Sequence, residues 1–259
     1  MTEGKWDEKF RTFLKKYYWD NILQLANDYP DQRSLYVDFS DLEIFDRELA
    51  DELLFHPDEV IPSADNALQE IDLPVEKSLD EAKVRFVRIP NKIPNRDLRS
   101  KHLLQLVAIE GMIRKATEVR PKILNAAFKC MRCEHITMIP QTEIKFVEPV
   151  ECEEESCGRK GPFKIMINQS AFIDAQKLQV QESPENLKGG SQPQSLDVDV
   201  EDDLAGIVKP GDRVVINGIL RSHQRTTREG KSPFYDLVLH ANSLEYVDQE
   251  FDELEITPE

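Results

Sequence analysis

The residues with the most defined chemistry are four cysteines, the only ones in a chain of 259 residues. They fall into two pairs, Cys130-x2-Cys133 and Cys152-x4-Cys157, separated by 18 residues. Thiolates are soft, strong ligands, and four of them at two close spacings suit a closed tetrahedral Zn²⁺ site. The first pair ends a strand-like run and the second lies in a tight turn at Gly158. All four thiolates are used and no coordination position is left for water, so the expected role of the metal is structural. The x4 spacing is looser than the usual x2. His135 is an alternative ligand to Cys133, but it reads as a solvated loop histidine. The opening MTEGKWDEKF lacks the apolar core of a signal peptide, and no apolar run approaches the roughly 18–20 residues that cross a bilayer. The expected setting is therefore intracellular and reducing, cytoplasmic or nucleoid-associated, away from membranes, where cysteines serve metals more often than disulfides.

Charge is the second lead. The net charge of −16 argues, taken whole, against a nucleic-acid binder. It is unevenly distributed: residues 1–81 carry −13, residues 82–133 carry +10 and residues 134–259 carry −13. Within the basic stretch and its neighbour, Arg114, Lys115, Arg120 and Lys122 sit at the ends of two expected strands. Arg221, Arg225, Arg228 and Lys231 crowd the segment HQRTTREGKS and its approach, opposed there only by Glu229. Such clusters suit phosphate contacts, which supply affinity and salt dependence but little sequence reading. Each arginine alone is also explained as a solvated surface charge. As a group the hairpin points to DNA, because its tip is too poor in apolar residues to pack. Aromatic interleaving is thin: Phe86, Phe128 and Phe234 serve equally well as core residues.

Enzymatic readings fare worse. Gly230-Lys231-Ser232 invites comparison with a phosphate loop, but that motif needs a glycine at the position held by Arg225, and a helix where a strand is expected. Glu201-Asp202-Asp203 reads as a solvated turn. His56, His102, His135, His223 and His240 share no local catalytic pattern, so no catalytic residue is assigned.

These groups must be positioned by an α+β, multidomain chain. Trp6, Phe10, Phe13, Leu14, Tyr17, Tyr18, Ile22 and Leu25 predict one amphipathic helix ending near Tyr29-Pro30; the aromatic stripe suits helix packing better than a partner groove. A short strand over 34–39 and helices over 46–55 and 58–71 complete a helical bundle at residues 1–80. Strands follow at 82–89, 106–114 and 118–130, then at 163–170, 171–182, 195–202, 211–222 and 233–247. VAIEGMIR (107–114) and VVINGILR (214–221) echo each other, each broken by one glycine of the kind that turns a barrel corner. Some five or six short strands suggest an OB-fold β-barrel over 81–128 and 165–250. Residues 129–164 form a zinc-binding insertion, and a long β-hairpin spans about 219–238. ESPENLKGGSQPQ (182–194) is a surface loop, and 251–259 reads as the start of a linker.

This order of parts, and above all QESPENLKGGSQPQSLDVDVEDDL (181–204), KPGDRVVINGIL (209–220) and LRSKHLLQLVAIEGMIRKATEVRPKI (98–123), resembles the N-terminal half of minichromosome maintenance (MCM) replicative helicases of the archaeal single-subunit type. The resemblance covers essentially the whole chain. It implies a helical bundle, a zinc insertion and an OB-fold assembled as homohexameric rings, or as two such rings stacked through their zinc regions. It implies that Arg225, Arg228 and Lys231 line a central channel holding single- or double-stranded DNA, and that Arg114, Lys115 and Arg120 match basic OB positions that bind single strands in some members. Glu229-Gly230 departs from the family's basic hairpin tip. Glu182, Asn186, Gly189, Gly190 and Gln192 fall in the loop that signals to a C-terminal ATPase domain of the same chain, which in the parent would drive ATP-dependent unwinding. This stretch, ending before that motor, is expected to bind DNA, to meet replication-initiation proteins, and not to hydrolyse ATP. The competing readings are a zinc-ribbon/OB protein–protein adaptor that never touches nucleic acid, and an enzyme built on the Glu201–Asp203 and Gly230–Ser232 segments.

Overall fold

The computed structural model describes residues 5–74, 78–141, 146–183, 192–227 and 230–247. The apolar stripe that begins at Trp6 folds as two helices, α1 (Asp7–Tyr17) and α2 (Trp19–Asp28), where the spacing alone predicts one. The break is at Tyr18, which leaves helical geometry. Its hydroxyl donates to Asp41 at 2.6 Å and accepts the Asp38 amide at 2.8 Å. That clasp draws the ring inward, so Phe10, Phe13 and Leu14 on one helix and Ile22 and Leu25 on the next all reach the same core. The stripe is thus core, as helix packing requires.

Strand β1 (Ser34–Asp38) is followed by α3 (Phe39–Phe45), α4 (Arg47–Phe55) and α5 (Pro57–Gln69). Asp38 caps α3 through the Ser40 amide and Asp46 caps α4 through the Leu49 amide, each satisfying a donor that a helix start leaves unpaired. Pro57 opens α5 where no amide hydrogen is needed. α3 has no counterpart among the sequence expectations, because seven residues are too few to show a helical period.

β1 pairs in parallel with β2 (Lys83–Val87), five residues each. After β2 come β3 (Leu106–Ala116), β4 (Arg120–Cys130), β5 (Ile136–Pro140), β6 (Phe163–Ile165), β7 (Ala171–Gln181), β8 (Ser195–Glu201), β9 (Arg213–Thr227) and β10 (Gly230–Tyr246). Five of these close a barrel in the order β3-β9-β10-β8-β7, with β7 returning to β3. This is the five-stranded barrel expected of an OB-fold. β3 leaves β9 for β7 at Met112, and Gly111 stands beside that exchange. A Cβ at Gly111 would lie 2.5 Å from the Gln181 carbonyl oxygen, and one at Gly218 would run into the His240 carbonyl. The two echoing glycines therefore mark two places where barrel strands approach too closely for a Cβ.

Leu106–Ile109 of β3 and Val214–Leu220 of β9 are buried on both faces. Leu106 and Ala108 with Val215 and Ile219 pack against the helices. Val107, Ile109 and Ile113 with Val214, Ile216 and Leu220 fill the barrel. A polar clasp joins barrel to bundle. β10 skips one residue of register between Ala241 and Ser243. The freed Asn242 accepts the Phe86 amide at 2.8 Å and donates to the Val84 carbonyl at 3.2 Å. Buried Arg85 donates to the Asn242 carbonyl and to Ser34, and pairs with Asp203. Asp202 takes Arg33 and Lys83 at 2.9 and 3.2 Å. The reading of residues 201–203 as a solvated turn is corrected: Asp202 is a buried counter-ion to Arg33 and Lys83, and the half-buried Asp203 is a counter-ion to Arg85.

Residues 118–176 form a separate compact unit. There β4 pairs antiparallel with β5, with β6 and with the first half of β7. The strand expected over 163–170 is only three residues long and gives way to a 3₁₀ turn at Ile167–Gln169.

Candidate metal centre and nucleic-acid interface

In the unit of residues 118–176 the four cysteine sulfurs lie within 4.8 Å of one another. Cys133 and Cys152 are 3.5 Å apart and Cys130 and Cys157 are 4.0 Å apart. Bonds of about 2.3 Å to a tetrahedral Zn²⁺ would set the sulfurs roughly 3.8 Å apart, so the spacing suits that ion. Two turns create it. At the end of β4 the Glu134 amide donates to the Cys130 carbonyl at 3.0 Å, with Glu134 at φ 65°. In the second turn the amides of Cys157 and Gly158 both donate to Glu154, and Gly158 takes φ 47°.

The close approach of the sulfurs also perturbs the thiols. Amides of Cys133 and Arg132 hold the Cys130 thiol down at about 6. The Glu154 amide pulls on Cys152, but burial and the bonds from the other three thiols outweigh it and push Cys152 up to about 12. Cys157 is also raised: the Arg159 amide lowers it, and burial with the thiols of Cys133 and Cys130 prevails. His135 stands apart from the set and faces Glu154 at 3.4 Å.

The basic hairpin is β9 and β10, antiparallel from Val214–Tyr246 up to Thr227–Gly230. Gly230 and Lys231 belong to β10 opposite Thr227 and Thr226, which is strand geometry and not a phosphate loop. Arg221 sits low on the hairpin and is held by Asp58 of α5 at 2.5 Å. Arg225 is 61% exposed and 3.3 Å from Asp236. Arg228 and the side chain of Lys231 lie outside the described residues. The ladder is irregular between Lys231 and Tyr235, around Pro233, which has no amide hydrogen to give. Of the three phenylalanines considered above, Phe86 and Phe128 are core, whereas Phe234 is 72% exposed and Tyr235 beside it is exposed too. Phe234 as a core residue is thus corrected; it is an aromatic face displayed next to the hairpin cations.

Arg114 and Lys115 are exposed at the end of β3 in the barrel-containing unit. Arg120 and Lys122, also exposed, begin β4 in the other unit, where Glu118 lies 4.0 Å from Arg120. Of the loop residues, Glu182 is buried. It accepts the Arg96 amide at 2.9 Å, binds the Arg96 guanidinium at 2.8 Å and accepts the Gln194 amide at 3.2 Å. Its own amide donates to the Gln194 carbonyl at 3.1 Å. The hydrogen bonds of Arg96 hold the Glu182 carboxyl below the usual carboxylate range. Gln192 is exposed; Asn186, Gly189 and Gly190 lie outside the described residues. One grouping has no signal in the sequence spacing: Asp199 of β8, His223 of β9 and His240 of β10 converge at the lower part of the hairpin.

Comparison with known proteins finds an MCM N-terminal domain model matching residues 7–93 and an MCM OB domain model matching residues 92–224. The minichromosome maintenance protein MCM of Saccharolobus solfataricus is 30% identical over 241 residues, covering 88% of this chain and 34% of that protein. The DNA replication licensing factor mcm3 of Schizosaccharomyces pombe is 32% identical over 243 residues, covering 88% of this chain and 27% of that protein. The chain thus spans about a third or less of the length of the curated relatives it matches. Among solved structures, the N-terminal domain of an archaeal MCM superposes with a TM-score of 0.78 at 33% identity, covering 93% of this chain and 98% of that one.

Proposed function

The chain belongs to the MCM family, with that family's N-terminal and OB domains, and from that premise we propose that it is the DNA-binding, ring-forming module of a replicative helicase. The observation that carries the DNA reading is the hairpin. Two strands of 15 and 17 residues leave Arg225 exposed on one, and the rings of Phe234 and Tyr235 exposed on the other. Cations track phosphates, and aromatic faces stack on bases without regard to sequence. In a ring of six, or in two stacked rings, the hairpins would converge on a channel for single- or double-stranded DNA. Arg225, Arg228 and Lys231 would make the main contacts and Arg221 a lesser one, since it is already held by Asp58. Arg114 and Lys115 on the barrel, and separately Arg120 and Lys122 on the unit of residues 118–176, would contact a single strand. The −16 net charge would then face outward, with the field focused along the axis.

The four cysteines would hold a structural Zn²⁺, which would replace a hydrophobic core in residues 118–176. Glu182, Asn186, Gly189, Gly190 and Gln192 would couple DNA occupancy to an ATPase domain of the same chain, Glu182 by pinning the loop's neck to Arg96. Replication-initiation proteins inside the cell would be further partners.

The test is single-strand binding as a function of salt. Affinity falling steeply with salt, and falling about tenfold or more in Arg225→Ala with Lys231→Ala, supports the reading. An adaptor would show no single-strand affinity at low salt and no response to the double substitution. Less than half an equivalent of zinc in gently purified protein would remove the metal from the scheme.

A further inference from the structure

Asp199, His223 and His240 come from three neighbouring barrel strands, yet their ligand atoms lie within 4.8 Å of one another. His240 stands directly opposite Asp199 where β10 and β8 run parallel, and its Nε2 is 3.5 Å from the Asp199 carboxylate. The two imidazole rings are 6.5 Å apart between centres. Two electron-pair donors at this spot are buried and have no hydrogen bond among the described residues: Nδ1 of His223, and Oδ1 of Asp199, which faces Lys177 at 3.5 Å. Buried polar atoms left without a hydrogen bond are uncommon in native proteins and ask for a cause. Asp202 and Asp203 are held more closely, by Arg33, Lys83 and Arg85.

We propose that Asp199, His223 and His240 form a second cation site, separate from the cysteines, that takes one divalent transition-metal ion. Two imidazoles and one carboxylate are a donor set suited to Zn²⁺, Ni²⁺ or Cu²⁺, with the remaining positions open to water. Bonds of about 2.0–2.1 Å require ligand atoms near 3.3 Å apart. The His240–Asp199 pair is already close to that, and His223 has to approach by a side-chain rotation. Lys177, 3.5 Å from Oδ1 of Asp199 and mostly exposed, is the resident competitor that the ion displaces. Once bound, the ion cross-links β8, β9 and β10 below the basic tip and stiffens the hairpin at its base. This inference does not depend on the hairpin binding DNA.

The probe is Ni²⁺, added to the full chain after one equivalent of Zn²⁺ has protected the cysteine thiols from a thiol reagent. The imidazole NMR signals of the five histidines are followed. The site predicts that less than one equivalent of Ni²⁺ selectively broadens His223 and His240 while His56 and His102 stay sharp. It predicts that His223→Ala and Asp199→Asn each weaken binding by more than about tenfold, since even outer-shell losses cost 10–100-fold. Lys177→Gln should tighten binding several-fold, an effect that a loss of folding cannot mimic. Broadening of all five histidines together, or binding unchanged in Asp199→Asn, overturns the site. So does a pair that responds to pH but not to Ni²⁺, which would make the cluster a proton-binding one.

Discussion

The barrel-containing unit and the unit of residues 118–176 reach order by different physical means. In the first, two clusters of buried apolar side chains carry the fold, and Leu106–Ile109 of β3 and Val214–Ile216 of β9 are apolar on both faces. In the second, the buried apolar residues are few: Ala126, Ala127, Phe128 and two of the cysteines. Met131, Met138, Phe146 and Phe172 remain exposed. A segment that small and that poorly cored needs a staple, and the cysteine cluster is the only candidate among its described residues. Burial therefore stabilises one unit, and under the proposed zinc reading chelation would stabilise the other, so the two should fail independently.

The largest effect that could break this contrast is removal of the metal. Cys152→Ser, or a strong chelator, should unfold residues 118–176, because a structural Zn²⁺ contributes on the order of 10 kcal/mol. Hydrogen exchange should show β4, β5 and β6 losing protection while β3 and β9 keep theirs. Equal loss in both units would mean that they are one cooperative system. Next in size is Gly218→Val, which drives a side chain into the His240 carbonyl. A loss of more than about 3 kcal/mol is expected in the barrel melt, with zinc content unchanged.

Arg85→Ala should cost about 3 kcal/mol by removing the buried guanidinium and leaving the half-buried Asp203 with Ser34 as its remaining partner. A melt shifted by less than a degree or two would show the clasp to be decoration.

The smallest effect sharpens the comparison by adding pH. Burial pushes the Asp65 carboxyl of α5 up to about 6, against the Val84 amide and the charges of Lys83 and Arg85, which lower it. The folded chain thus binds this proton more tightly than the unfolded one. The stabilisation is fully present below the ordinary pKa of 3.8 and is lost as pH rises through about 6. Asp65→Asn should accordingly gain about 2 kcal/mol over the parent at pH 8 and converge with it at pH 4, measured by urea melts of the pair. A constant difference across that range would contradict the assignment.

What was legible in the sequence follows the same division. The cysteine pairs announced their cluster because ligand spacing is local. The glycines of VAIEGMIR and VVINGILR announced close crossings because a missing Cβ has few other uses inside a strand. The hairpin showed itself through two long alternating runs around a polar turn. The break at Tyr18 was hidden, because the hydroxyl partners that cause it lie 20 and 23 residues away. So were the partners of Arg85: Asp203 and Asn242 are more than a hundred residues distant, and only the pairing of β2 with the bulge in β10 brings them together. β5, with its alternating and mostly solvated ITMIP, carries too short a period to register. Asp199, His223 and His240 escaped for the same reason as Arg85, since their proximity is a property of strand order and not of spacing.

The bulge at Asn242 gives the hairpin a mechanical character. β10 runs without interruption by any loop from Gly230, at the turn, to Tyr246, roughly 55 Å at 3.3 Å per residue. Near its far end it is buttoned to β2, the strand that the helices pack against. A load applied at the Thr227–Gly230 end would travel along this one strand and arrive inside the helical bundle. The bundle would then act as the anchor block of a lever whose arm is β10.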